Sequence, residues 1–388
     1  MKKGWEVKKL GEVCEFDKTP NSKSLPYIGL EDIEPNTGRF IGSTHPQRVK
    51  SLTFAFSREH VLYGRLRPYL NKALVPDFEG HCSTEIFPIR VTSRLDRRFL
   101  FLWLLSDKTV TQIDATCTGA RMPRANMNAV LDFEIPLPPL PEQKRIVAIL
   151  DKAFAAISTA KANAEKNLQN ARELFESYLQ SVFANPGDGW EEKKLGQIAS
   201  FRNGLNYTKE SEGELIKIVG VKDFQKSYWI PLENLDTIMI DGKLSEIDFL
   251  KEDDIVAVRS NGNQELIGRC ILAGYLPEKI SHSGFTIRIR INSNDIFPQY
   301  LCHYLKSQKA RKQLVESGIG TNIKSLNQMT LSSLATPFPP LPKQRAIVAK
   351  LDAFSAETKK LEAIYQQKLA DFDELKKSVL KRAFEGAI

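Results

Sequence analysis

Pro138-Pro139-Leu140-Pro141-Glu142-Gln143 returns later in the chain as Pro339-Pro340-Leu341-Pro342-Lys343-Gln344, at an offset of 201. A pattern repeated at that distance marks an internal duplication. The match continues downstream at the same offset. Ile146-Val147-Ala148 meets Ile347-Val348-Ala349, and Leu150-Asp151 meets Leu351-Asp352. Further on, Glu173-Leu174, Ser177, Leu179 and Phe183 meet Glu374-Leu375, Ser378, Leu380 and Phe384. Upstream, Trp5-Glu6-Val7-Lys8-Lys9-Leu10-Gly11-Glu12-Val13 returns as Trp190-Glu191-Glu192-Lys193-Lys194-Leu195-Gly196-Gln197-Ile198 at an offset of 185, and Tyr27-Ile28-Gly29-Leu30-Glu31-Asp32 resembles Ile218-Val219-Gly220-Val221-Lys222-Asp223 at 191. The offset drifts before the two Pro-rich segments and is constant after them. Length variation therefore falls where loops belong, and the segments after the prolines keep register.

Those segments read as helices. Residues 142–184 are rich in Ala, Lys and Glu, with no Gly or Pro until Pro186-Gly187. Apolar residues alternate at spacings of 3 and 4 through Ala164, Leu168, Ala171, Phe175, Tyr178 and Val182, a coiled-coil period. The second helix, about 344–384, offers Leu351, Phe354, Leu361, Tyr365, Phe372, Leu375 and Val379 for the same seam. Two amphipathic helices can each pack on their own domain; the repeat favours pairing with each other, antiparallel. At about 1.5 Å per residue the first spans roughly 64 Å.

The parts before the prolines read as mixed α/β. Strand-like runs are Glu85-Ile86-Phe87-Pro88-Ile89-Arg90-Val91, Ile255-Val256-Ala257-Val258 and Phe285-Thr286-Ile287-Arg288-Ile289-Arg290-Ile291, the last with Arg288 and Arg290 on one face. Helical runs at residues 99–105 and 300–305 carry aromatics that read as core. The expected architecture is α/β (α+β): globular domains at 1–141 and 186–342, a central spacer helix at 142–185 and a C-terminal one at 343–388. The two halves would be related by a pseudo-two-fold axis.

Bulk properties narrow the function. The formal net charge of +8 is spread as +4, +1, 0 and +3 over those four segments in chain order. A polyanionic partner fits only if folding gathers the basic groups, with the acidic run Glu252-Asp253-Asp254 kept away from phosphate. Cys14, Cys82, Cys117, Cys270 and Cys302 are odd in number and form no C-x-x-C pair, which suggests free buried thiols in a reducing cytoplasm. His81-Cys82 lacks neighbours at ligand spacing and reads as packing. No apolar run reaches the ~18 residues of a membrane span, and the mixed charge of the first residues argues against a secretory signal. Neither an Asn/Asp-Pro-Pro-Tyr/Phe motif nor a G-x-x-x-x-G-K-S/T loop occurs, and the five His are isolated. The chain is expected to be non-catalytic, with no metal and no cofactor of its own.

Together these features resemble the DNA-specificity subunits of Type I restriction-modification systems. That family alternates target-recognition domains with helices opened by a P-L-P-P-L-P-E-Q-like segment, and each recognition domain begins near a W-E-x-K-K-L-G-E segment. Both signatures occur twice, in order, over nearly the whole length. The family's G-x-G-T-x-N-I-type loop appears as Gly318-Ile319-Gly320-Thr321-Asn322-Ile323-Lys324, whereas the first half reads Thr118-Gly119-Ala120-Arg121-Met122-Pro123-Arg124-Ala125-Asn126. It keeps Gly119 and Asn126, opposite Gly320 and Asn327, but places Arg and Pro between them.

The resemblance implies a reader of an asymmetric, bipartite site on double-stranded DNA. It also implies two methyltransferase subunits supplying S-adenosylmethionine, and restriction (helicase-nuclease) subunits using ATP and Mg. Base reading needs directed donors and acceptors, and phosphate contact needs Lys, Arg and small polar groups. Two loop pairs supply them. Arg65, Arg67, Tyr69, Asn71 and Lys72, in a segment resembling the family's R-P-Y-x-x-K, face Arg259, Asn261 and Asn263 at an offset of 194. Arg121, Arg124 and Asn126 face Asn322, Lys324 and Asn327. The plainer reading is solvated hairpin turns for the first pair and plain helix-to-strand loops for the second. A protein scaffold that does not bind DNA, and an enzyme with an unrecognised site, are the rival functions.

Overall fold

A computed structural model of the chain describes residues 4–119, 121–184, 187, 189–208, 210–224, 228–316 and 325–388. The chain forms two compact units. Met1–Lys166 and Tyr365–Ile388 make one, and Asn167–Ile364 make the other.

In the first unit the Trp5 repeat and the segment before the first prolines meet. Glu6–Lys9 pairs antiparallel with Glu134–Leu137, with Glu6 opposite Leu137. The Leu10 N–H then donates to Phe133 O at 2.8 Å, and the Gly11 N–H to Leu131 O at 2.9 Å. A Cβ on Gly11 would sit 3.3 Å from the Leu131 Cβ, so the close approach favours glycine. Two further sheets follow. One orders Cys14–Phe16, Ile86–Val91, His60–Gly64 and Ala73–Leu74; the other orders Pro46–Gln47, Leu25–Ile28, Gly80–Ser83 and Thr53–Phe56. The strand Leu25–Ile28 runs parallel to Gly80–Ser83, and the other pairs are antiparallel.

The second unit repeats this plan. Glu191–Lys194 pairs antiparallel with Ala335–Phe338, and the Leu195 N–H donates to Leu334 O at 2.9 Å. Its four-stranded sheet orders Ala199–Asn203, Thr286–Ile291, Ile255–Val258 and Cys270–Leu272. The second sheet has three strands, Asp236–Asp241, Gly213–Val219 and Ile280–His282. This is the region where the sequence offset drifts.

The two long helices, Leu140–Ala184 and Leu341–Phe384, start inside the Pro-rich segments. Proline suits the first helical turn because its missing N–H has no intrahelical acceptor there. The glutamine closing each segment pins the helix to the globular part. Gln143 is fully buried: its Oε1 accepts from Asp96 N–H at 2.7 Å, and its Nε2 donates to Arg94 O at 2.9 Å and Pro138 O at 2.8 Å. Gln344 makes the same three bonds, with Phe297 N–H at 2.8 Å and with Asp295 O and Pro339 O at 2.9 Å each.

Both helices contribute to each core. In the first unit Ile146, Val147 and Leu150 join Leu380 and Ala383, and Phe384 meets Phe99 edge-on with ring centroids 5.1 Å apart. In the second, Leu179 and Phe183 join Val348 and Leu351, and Phe183 contacts Tyr300 at 5.5 Å. The helices pack against each other and run antiparallel within each unit. Lys161 pairs with Asp373 at 2.7 Å while Lys376 lies over Phe154; Arg172 pairs with Glu362 at 3.2 Å while Tyr178 meets Phe354.

The expected seam holds on the first helix, where Ala164 and Ala171 are buried and Leu168, Phe175, Tyr178 and Val182 half-buried. On the second it needs correction. Leu361 and Leu375 are 38% and 46% exposed. From Thr358 the buried side steps by 4 and then 3 through Glu362, Tyr365, Leu369, Phe372, Lys376 and Val379. Leu361 and Leu375 lie on the flank where 3-then-4 steps would have led. A Thr and the alkyl stem of a Lys fill seam positions that a count of apolar residues passes over.

Four of the five cysteines are buried; Cys117 is half-buried, a second correction. The His81 ring bonds Thr53 Oγ1 at 3.0 Å and the carbonyls of Leu25 and Gln47 at 3.1 and 3.0 Å. Arg288 and Arg290 do share a face but are spent internally. Arg288 donates to Ile247 O at 2.8 Å, and Arg290 grips the buried Asp254 at 2.6 and 2.7 Å. Of the acidic run, Glu252 and Asp253 remain on the surface. Among the described residues no helix is long and apolar enough to cross a membrane.

Candidate nucleic-acid interface

The two loops singled out in the first half are joined by main-chain hydrogen bonds. The Ala125 N–H donates to Arg65 O at 2.9 Å, and the Arg67 N–H to Pro123 O at 2.8 Å. Arg65 N–H in turn donates to Glu85 O at 2.9 Å. Side chains reinforce the junction: Glu85 receives the Nε of Arg65 on one carboxylate oxygen and the Nε of Arg124 on the other, both at 2.9 Å. Burial works against charge on Glu85, but the hydrogen bonds and charges of the two arginines outweigh it and hold its carboxyl below the ordinary range.

The backbone then presents the rest of the segment. Arg67 and Asn71 adopt left-handed conformations, with φ of 50° and 45°, around the single turn Pro68–Leu70. This turn exposes Arg67 and Tyr69, the latter to 51%. Arg121 and Met122 are exposed on the neighbouring loop. Among the described residues neither Arg67 nor Arg121 has a carboxylate partner, so both guanidinium groups are available to an anion. Lys72 donates to Leu30 O and is half-buried. Asn71 is only 2% exposed; it lies beneath the turn and is no surface donor, which corrects its place among the candidates. Asn126 caps the short helix Met127–Val130, accepting from Ala129 N–H at 3.4 Å.

The second unit builds the same junction from different side chains. The Leu326 N–H donates to Arg259 O and the Arg259 N–H to Phe285 O, both at 2.8 Å. Phe285 thus occupies the backbone place of Glu85. Among the described residues the Arg259 guanidinium has only Gly284 O, at 3.2 Å, and its Nε has no partner. Asn261 accepts from Asn263 N–H at 2.8 Å, and Asn263 from Glu265 N–H at 3.0 Å, so each acceptor oxygen is used in a local turn while the amide NH₂ is left to point elsewhere. Asn327 caps Gln328–Ser333 through Thr330 N–H at 2.8 Å, as Asn126 does in the first unit. Asn322 and Lys324 lie outside the described residues.

Glu85, Pro123 and Phe285 escaped the sequence reading. Both 85 and 285 open runs read from sequence simply as strands, and only their common bond to an arginine N–H shows that they correspond.

The chain is thus a duplicated protein of two units with one plan, each joining an Arg-bearing turn to a second loop but lining the junction differently. The chain belongs to the family of the Type I restriction modification DNA specificity domain, which matches it twice, over residues 2–168 and 187–369. The Type I restriction enzyme StySPI specificity subunit of Salmonella potsdam is 28% identical over 270 residues, covering 66% of this chain and 58% of that one. The EcoDI specificity subunit of Escherichia coli is 30% identical over 160 residues, 41% of this chain and 35% of that one. The match therefore spans less than two thirds of the length of these relatives. Among solved structures, a chain of a type I R-M system superposes with a TM-score of 0.81 at 22% identity, covering 100% of this chain and 99% of that one. The HsdS subunit from Thermoanaerobacter tengcongensis gives 0.70 at 22% identity, covering 100% and 98%. At that identity the likeness concerns the fold.

Proposed function

We propose that this chain is the specificity subunit of a Type I restriction-modification complex and reads an asymmetric, bipartite target on double-stranded DNA. Residues 1–141 read one half-site and 186–342 the other, while the helical segments 142–185 and 343–388 act as the spacer. The observation that carries this reading is the repeated junction of Arg65 with Ala125 and of Arg259 with Leu326, lined by unlike side chains. One plan with two linings suits two half-sites of different sequence.

Chemistry is left to partners. Two methyltransferase subunits bring S-adenosylmethionine and flip the target base, and restriction subunits bring ATP-driven translocation and cleavage. The duplicated Pro-rich segments and helices offer two equivalent places for the methyltransferases. The complex works in the cytoplasm, where it meets the host chromosome.

Arg65, Arg67, Tyr69, Arg121, Arg124, Arg259, Asn261 and Asn263 are the described candidates for DNA contact, with Lys72, Asn126 and Asn327 shaping the loops. Asn322 and Lys324, outside the described residues, remain candidates from the sequence, and the buried Asn71 does not. The test is a binding titration of the chain, purified with its methyltransferase, against duplex DNA at several salt concentrations. Affinity should fall steeply with salt, and Arg67→Ala and Arg121→Ala should each lower the slope by about one. Salt-independent binding, or none, would favour the scaffold reading. Methyl transfer by the chain without any partner would favour an enzyme.

A further inference from the structure

We propose that Phe285 is a specificity-determining residue of the second unit, making an apolar contact with the C5 methyl group of a thymine. The inference rests on the DNA-reading function proposed above and assigns one side chain to it.

Glu85 and Phe285 accept the N–H of Arg65 and Arg259 through their carbonyls at 2.9 and 2.8 Å, so they stand at the same point of the two junctions. In the first unit that point is a carboxylate shared by Arg65 and Arg124, which fixes both guanidinium groups. In the second it is a phenyl ring, 61% exposed, beside an Arg259 whose Nε has no partner among the described residues. Gly284, next to it, is held by its N–H to Leu205 O at 2.7 Å, and Tyr207, two residues after Leu205, is also exposed. The ring therefore projects from an anchored turn. A lone exposed aromatic is ordinary on a protein surface; this one replaces the residue that organises the arginines in the other unit. On a major-groove edge the apolar feature is the thymine methyl, and aromatic side chains contact it. Arg259, Asn261 and Asn263 around it supply polar donors for flanking bases and phosphates. The two units thus differ in chemistry as well as in sequence: an arginine fork set by a carboxylate in one, a ring in the other.

The experiment uses the full chain with its methyltransferase and duplexes carrying the motif methylated in its host. Each thymine of the motif is replaced in turn by deoxyuridine, which removes only the methyl group. For the unaltered chain one replacement, in one half-site, should weaken binding about fourfold, the value of one buried carbon. Phe285→Ala should weaken binding to the thymine duplex by a similar factor and be indifferent to that replacement. Phe285→Leu should restore sensitivity. Because the ring is largely exposed, neither variant threatens folding. Sequence-specific binding that is indifferent to deoxyuridine everywhere, or a Phe285→Ala chain that keeps full sensitivity, overturns the proposal, as does a motif with no thymine in the half-site whose binding Phe285→Ala weakens. A ring that wedges between bases would give a Phe285→Ala loss independent of the methyl group, and also counts against it. Absence of any sequence-dependent binding removes the proposed function itself, and this contact with it.

Discussion

Replacing Gln143 by Ala removes one acceptor and one amide donor from a fully buried site. Three hydrogen bonds go: from Asp96 N–H at 2.7 Å, to Arg94 O at 2.9 Å and to Pro138 O at 2.8 Å. At about 1 kcal/mol net for each bond the loss is about 3 kcal/mol, and stranding a buried amide and two carbonyls raises it toward about 5 kcal/mol. The damage is directional. Asp96 caps the helix Arg97–Leu104, and Pro138 precedes the first long helix, so the substitution loosens the globular part from the helix. Urea unfolding followed by hydrogen exchange measures both aspects. The amides of residues 96–100 should lose protection, and the first unit should unfold at lower urea than before. Gln143→Glu keeps the acceptor for Asp96 but turns a carboxylate toward two carbonyls, and should be no better than Ala. Gln344→Ala should cause the same loss in the second unit, through Phe297, Asp295 and Pro339. A loss below about 1 kcal/mol with exchange unchanged would show that water replaces the amide, and that the glutamine is not the pin.

Other consequences can be checked separately. Burial, and then the charges of Arg288, Arg202 and Arg290, push the His282 imidazole down to about 3. Below about pH 6.5 the unfolded chain takes up a proton that the folded one refuses, so stability is full above that pH and declines toward pH 3, by about 2 kcal/mol at pH 5. His282→Asn should flatten this slope, which pH-dependent unfolding measures. Glu85→Gln frees Arg65 and Arg124 from their shared carboxylate; it should cost about 1 kcal/mol of stability, steepen the salt dependence of DNA binding and relax discrimination at the first half-site. Inserting one heptad into each long helix, after residues 166 and 364, lengthens both by roughly 10 Å. The proposed spacer role then expects a wider gap with unchanged half-sites in the methylation pattern; altered half-sites at the old gap would contradict it.

Much of the fold was legible because duplication makes a single sequence its own control. Segments that return in register, such as residues 140–184 and 341–384, announce shared packing before any contact is known. The seam of the second helix was misread at Leu361 and Leu375 because periodicity counts apolar letters, while Thr358 and the stem of Lys376 do the burying. The site was legible only in outline. Arg65 and Arg259 could be matched by offset. That Glu85 and Phe285 meet them depends on strand register between distant segments, which no local pattern encodes. The burial of Asn71 depends likewise on the left-handed backbone on either side of residues 68–70. Gln143 and Gln344 were visible as repeated letters, but their six hydrogen bonds go to carbonyls and amides, which a sequence does not distinguish.

The most direct measurement is the methylome of the host with and without the gene for this chain. The account predicts a motif of two unlike defined segments separated by unspecified bases, methylated when the gene is present and bare when it is deleted. A methylome unchanged by the deletion, or a dependent motif that is continuous or palindromic, would contradict it.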